Sequence, residues 1–314
     1  MNVKNSLKVS CVGLAGGIVL RVISVLVQYD AGTGFYRDGG LWAWICVGFV
    51  AVMALLSALM CLRDKKTFFA PYSGQRNRVL GVSSLVLGVV LLITAYIQGQ
   101  SYFTKTHAGE YSVNEPLTSW IHLAFVIACV LFGLLQLALT PVFFRGLGAF
   151  EYAPALYLVG VLWGIVNLLF MFVYYSYATL HQENFYVIVS SCLLLLSFYD
   201  MSRYFAGIGR EHSARLFYAF GFPAVLVTAV YTISNALLRL LFGMEQTLTQ
   251  VPPMIQLLHL AAALYLFVSL VTVRKYDLQE PAGPRRMKKR RYAPAGRRTG
   301  KTGTESSARR MKTE

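Results

Sequence analysis

Eight stretches of about twenty mostly apolar residues follow one another along this chain, and nothing else in it constrains the fold as strongly. They run Ser10–Gln28, Leu41–Leu62, Leu80–Gln98, Leu117–Thr140, Leu156–Tyr177, Phe185–Tyr204, Leu216–Leu241 and Met254–Val273. At a rise of about 1.5 Å per residue, such a segment crosses the roughly 30 Å hydrocarbon layer of a bilayer as a helix. Lipid offers no partner to a bare N–H or C=O, so each stretch must satisfy its own backbone as a helix. The expected fold is all-α, a polytopic membrane bundle of eight transmembrane helices. Composition agrees, because 14% of the residues are charged where a soluble domain carries about 25%.

Charge sets the expected orientation. An even number of spans puts both termini on one side. That side then holds Lys4, Lys8, Arg63, Lys65, Lys66, Arg76, Arg78, Arg145, Arg203, Arg210 and Arg215. The other side holds Arg37 and Lys105 among the acids Asp30, Asp38, Glu110, Glu115, Glu183 and Glu245. The basic side faces the cytoplasm, so both termini are expected inside a cell membrane. Trp42, Trp44 and Trp120 fit an outer aromatic belt, and Phe143, Phe144 and Tyr204 an inner one. Arg21 interrupts the apolar region near the N-terminus and no A-x-A site follows, so the first span is expected to persist as a helix.

We read 1–273 as the eight-helix transmembrane domain and 274–314 as a tail. The tail has 14 basic and 4 acidic residues, a net +10 of the total +15. It lacks apolar periodicity and is expected to be disordered and cytoplasmic. Its cluster Arg285, Arg286, Lys288, Lys289, Arg290 and Arg291 suits the anionic head groups of the inner leaflet, at about 1 kcal/mol per basic residue near the surface. Nucleic acid is a poor fit, since the tail has two aromatics, Tyr276 and Tyr292, and no base-reading motif. Ala295–Thr302, AGRRTGKT, mimics a phosphate-binding loop but lacks the leading strand and following helix that make such a loop work.

Polar residues inside the spans carry the functional argument. Arg21 lies seven residues before Gln28, and an arginine at a helix centre costs roughly 2.5–3.5 kcal/mol on insertion scales. Ser10, Gly13, Gly17, Arg21, Ser24 and Gln28 recur every third or fourth residue, forming one small-and-polar stripe. Such a stripe packs on other helices rather than on lipid. Matching stripes are Gly160, Gly164 and Asn167 on the fifth span and Thr228, Thr232, Asn235 and Arg239 on the seventh. Thr94 and Gln98 lie on the third, His122 on the fourth, and Gln256 and His259 on the eighth. Most fall in the outer half, so a net-positive cleft open to the outside is expected. Arg21, Gln28, Asn167, Asn235, Arg239, His122 and His259 are its candidate ligand-binding residues. A polar network that merely holds helices together fits the same residues, and Arg239 is near enough to a helix end to snorkel.

No Asp or Glu falls in the middle of any span, and Asp200 with Arg203 reads as a local ion pair. Five cysteines, all inside apolar runs, form no zinc or disulfide pattern and read as small buried hydrophobes. No catalytic, metal or cofactor motif is present. PLTSWIHLA (Pro116–Ala124) and PMIQLLHLA (Pro253–Ala261) share Pro, His, Leu and Ala at a constant offset of 137, which fits two parallel four-helix halves.

Leu20-Arg21, Gln28 and the TGF of Thr33–Phe35 resemble the opening of uncharacterised multi-spanning membrane proteins of clostridial-type Gram-positive bacteria. The resemblance covers one helix and its loop. It implies a bacterial cell-membrane protein and brings no activity with it.

Three functions follow as expectations. The first is a non-enzymatic protein that binds, transports or senses an anionic or lipid-like ligand in the outward cleft. The second is a scaffold for partner membrane proteins, with its tail on the inner leaflet. The third is a lipid-modifying enzyme with His122 or His259 as base.

Overall fold

The computed structural model describes residues 2–30, 35–63, 76–109, 116–146, 154–175, 181–206, 208, 210–243 and 251–276. The tail beyond Tyr276, Thr33 and Gly34 lie outside these residues, as do Lys65 and Lys66, whereas Arg274–Tyr276, expected in the tail, close the last helix. Eight helices follow in order: α1 Asn2–Gln28, α2 Leu41–Leu62, α3 Arg78–His107, α4 Pro116–Arg145, α5 Leu158–Tyr175, α6 His181–Phe205, α7 Arg210–Phe242 and α8 Pro253–Tyr276. All eight are long and apolar enough to cross a membrane. The chain is a multi-pass integral membrane protein with an all-α fold.

Between α1 and α2 the chain makes a two-residue ribbon, β1 (Tyr29–Asp30) antiparallel to β2 (Phe35–Tyr36), then a short 3-10 turn at Arg37–Gly40. Asp38, Gly39 and Gly40 all have positive φ. Two glycines meet that requirement without a Cβ clash, and aspartate is among the residues that tolerate it best.

α7 is the hub. Its apolar stretch is 78% buried, against 33% for α1 and α2. It packs along α1, α2, α6 and α8. The remaining helices continue from it: α6 on α5, α5 on α4, α4 on α3, and α3 back on α8. Small residues allow the close approaches. A Cβ at Gly17 would lie 2.8 Å from Val230 of α7 and 3.0 Å from Val50 of α2. Gly88 and Gly133 bring the backbones of α3 and α4 together, each site's Cβ falling 3.2 Å from the other's carbonyl oxygen. Gly164 does the same for α5 against the Cα of Leu195. This is the steric logic of small-residue seams in lipid, where no hydrophobic force drives helix association.

Side chains tie helix ends that the topology predicts to be neighbours. Ser6 of α1 donates to the Ser57 carbonyl of α2 at 2.9 Å, and Ser10 meets the Ser57 hydroxyl at 2.8 Å. Asn77 caps α3 by accepting from the Leu80 amide at 3.1 Å and donates to Thr272 of α8 at 2.9 Å. A capping side chain of this type satisfies a donor the helix cannot.

Three expectations change. The two halves do not share one packing scheme: α6 packs along α7, whereas α2 packs along α7 and not along its own successor α3. Phe143 and Tyr204 are core residues, not an inner belt: Phe143 lies where α4 continues past Thr140 with that face covered, and the Tyr204 ring stacks on Phe217 of α7. Trp42, Trp44 and Trp120 do face outward. Cys46, Cys61 and Cys129 are buried, but Cys192 is half-buried and Cys11 is exposed.

Candidate functional site

Arg21 is 2% exposed. The α1 stripe predicted from spacing is the buried face of that helix, with Ser10, Gly13, Gly17, Ser24 and Gln28 buried alongside it. The guanidinium is not a free cation. Its Nη2 donates to Glu183 Oε2 at 2.6 Å and to Asn235 Oδ1 at 3.1 Å. The guanidinium carbon sits 4.4 Å from the ring centroid of Tyr186 and 5.6 Å from that of Tyr231. Cation–π contacts of this kind gain strength once desolvated.

Glu183 was expected in an outer loop. It belongs instead to the first turn of α6, which begins two residues earlier at His181, and it is 1% exposed. The first turn is where a helix macrodipole favours a carboxylate. The second carboxylate oxygen accepts from Tyr36 Oη at 3.2 Å. Burial, then the neighbouring carboxylate, pushes the Tyr36 hydroxyl well above the usual phenol range, so it stays a donor. The pair is therefore neutral overall and both carboxylate oxygens are held. This corrects the expectation of a net-positive cleft at Arg21.

The other candidate residues fall into separate groups. Gln28 accepts from the Trp42 amide at 2.9 Å, covering an N–H in the first turn of α2 that the helix leaves open. Asn167 of α5 meets His259 Nε2 through Oδ1 at 3.1 Å and donates to Ser191 at 3.5 Å. His122 Nε2 meets Gln98 Oε1 at 3.1 Å, with its ring edge-on to Tyr102 and Tyr174. Arg21, Asn167 and the two histidines do not converge on one centre.

Asn235 is the exception. It bridges Arg21 to α8 by donating to Gln256 Oε1 at 3.3 Å, and Gln256 Nε2 donates to the Val251 carbonyl at 2.8 Å. Gln256 also lines a cavity of about 250 Å³ between the ends of α7 and α8, with Thr232, Ala236, Arg239, Leu240, Pro253, Leu257 and Leu260. Arg239 is half-buried there, and no carboxylate among the described residues pairs with it. Neither Arg21, Asn167, His122 nor His259 lines this cavity.

Sequence reasoning therefore missed Glu183, Tyr186 and Tyr231. The signal for Glu183 was present. An arginine stranded in a span calls for a carboxylate, and helix starts carry an uncertainty of a turn. Among the described residues, no group of three His, Cys, Asp or Glu is placed to hold a metal ion. Comparison with protein-family models, curated proteins and solved structures finds no match.

Proposed function

We propose that this is a non-enzymatic cell-membrane protein that binds an anionic group in the cavity between the outer ends of α7 and α8. Both termini are cytoplasmic in this reading, as the distribution of Lys and Arg favours. Arg239 supplies the charge. Gln256 and Thr232 supply neutral hydrogen-bonding groups. A guanidinium with open volume beside it is the usual protein partner for phosphate or carboxylate, since its planar donors match two oxygens at once.

One observation carries the reading: Gln256 belongs both to the cavity and to the hydrogen-bonded ladder that ends at Arg21. An occupant that engages Gln256 competes for the group that holds Asn235. Its arrival then reaches the ion pair joining α1, α6 and α7. Sensing, or a transport step gated by these helices, follows from the same geometry. Both histidines are buried and neither lines the cavity, so this site is read without them.

The test is calorimetric titration of the purified full chain with glycerol phosphate, using glycerol as the uncharged control. Arg239→Gln is expected to weaken glycerol phosphate binding about tenfold, the scale of one charge-assisted contact. Equal binding by the variant and the parent protein would remove the anion site.

A further inference from the structure

A second cavity lies on the same side of α7. It has a volume of about 210 Å³ and is walled by α1, α7 and α8, through Leu14, Phe222, Val225, Ala229, Ala263 and Phe267 among others. Ser10 is the one hydroxyl side chain on its wall. Leu260 lines both this groove and the Arg239 cavity, so the two follow one another along a single seam. The rim of the seam is lipid-facing. Leu240 is 83% exposed, Leu257 48% and Leu264 47%.

From Arg239 at one end to Phe222 at the other, the seam covers eighteen residues of α7, a rise of seventeen steps. At 1.5 Å per residue that is about 25 Å, most of the roughly 30 Å hydrocarbon layer. A free phosphate would fill the polar end and leave the apolar length empty. A molecule with an anionic head and a long hydrocarbon chain fills both. Charge and polarity change along the seam in the same order as they do along such a molecule. Access needs no aqueous path, because the groove opens sideways toward the acyl chains of the bilayer.

We infer that the α7/α8 seam binds one anionic phospholipid of the outer leaflet, with its head group on Arg239 and Gln256 and one acyl chain in the groove between α1, α7 and α8. The inference rests on the anion site proposed above and names its ligand class. Cys11 gives a handle on the groove alone. It lines the apolar part, is exposed, and lies outside the Arg239 cavity. Cys11→Trp therefore occupies the groove without displacing a buried side chain.

The experiment compares the full chain, Arg239→Gln and Cys11→Trp in bilayer nanodiscs containing equal phosphatidylglycerol and phosphatidylcholine. Lipid retained on the protein after gentle release is counted by native mass spectrometry. Glycerol phosphate binding is measured in parallel. The parent protein is expected to retain phosphatidylglycerol about fivefold over phosphatidylcholine, the effect of one basic group near the surface. Arg239→Gln should lose that preference and also lose glycerol phosphate. Cys11→Trp should lose retained lipid but still bind glycerol phosphate. If Cys11→Trp keeps the lipid while Arg239→Gln loses glycerol phosphate, the lipid inference fails and the anion site stands. If Arg239→Gln changes neither, both fail. Leu264→Trp, at an exposed position on the same wall, repeats the groove test should Cys11→Trp fold poorly, and retention of lipid by that variant overturns the inference equally.

Discussion

Arg21 and Arg239 sit on helices that pack together, α1 and α7, and have opposite surroundings: Arg21 reaches Gln256 through Asn235, and Arg239 lines the same cavity as Gln256. Arg21 is enclosed, charge-paired with Glu183 and flanked by two tyrosine rings. Arg239 is half-buried at the wall of a cavity and has no carboxylate among the described residues. The difference teaches how to weigh a cation within a membrane span. One whose counter-ion comes from a neighbouring helix acts as a fastener. One left beside open volume can take its counter-ion from outside the chain.

The comparison makes the Arg21 pair the most sensitive point in the molecule. Removing one partner of a buried pair strands the other, at about 3–5 kcal/mol. Glu183→Gln and Arg21→Leu should each lower unfolding free energy by that amount in detergent titrations. The double variant Arg21→Leu, Glu183→Leu should recover much of the loss, since no orphaned charge remains. Single variants within 1 kcal/mol of the parent would show that the enclosed arginine is not a fastener.

Next in size is the Asn167–His259 contact, a neutral counterpart to the pair. Asn167→Leu leaves His259 Nε2 without its acceptor in a fully buried setting, an expected loss of about 1–3 kcal/mol. Thermal unfolding of the variant checks it, and no change in melting temperature would mean that the imidazole finds another partner.

Gln256→Leu sharpens the comparison because Gln256 belongs both to the network that ends at Arg21 and to the wall of the Arg239 cavity. It removes one neutral hydrogen bond to Asn235, so about 0.5–1.5 kcal/mol of stability should go. Glycerol phosphate affinity should fall with it by a few-fold, as read by the same titration. Loss of stability with unchanged affinity would confine Gln256 to the closed network.

The smallest stability effect belongs to Arg239→Gln. A half-buried side chain with no carboxylate partner among the described residues should change unfolding free energy by less than about 0.5 kcal/mol. A loss as large as that of Arg21→Leu would erase the contrast between the two sites.

Much of this architecture was legible beforehand. The eight spans, the buried face of α1 and the close approach at Gly164 follow from spacing, because a helix returns to the same face every 3.6 residues. The site was less legible. Gln28 looked like a ligand-orienting amide, yet its acceptor serves the Trp42 backbone across a turn. Tyr186 and Tyr231 carry no mark along the chain that sets them apart from other aromatic residues of the spans, yet their rings lie beside a guanidinium. Glu183 was assigned to a loop because a helix start cannot be placed to within a turn from composition.

By itself, the sequence determined which residues leave water, how many helices they make and which helix faces must be covered. Those properties are local, set by hydropathy and the pitch of the helix. Only the tertiary structure decided that Arg21 is neutralised by Glu183 and that Arg239 stands at the wall of a cavity. The carboxylate that pairs with Arg21 comes from 162 residues away, and a partner at that separation is chosen by how helices pack rather than by any pattern along the chain.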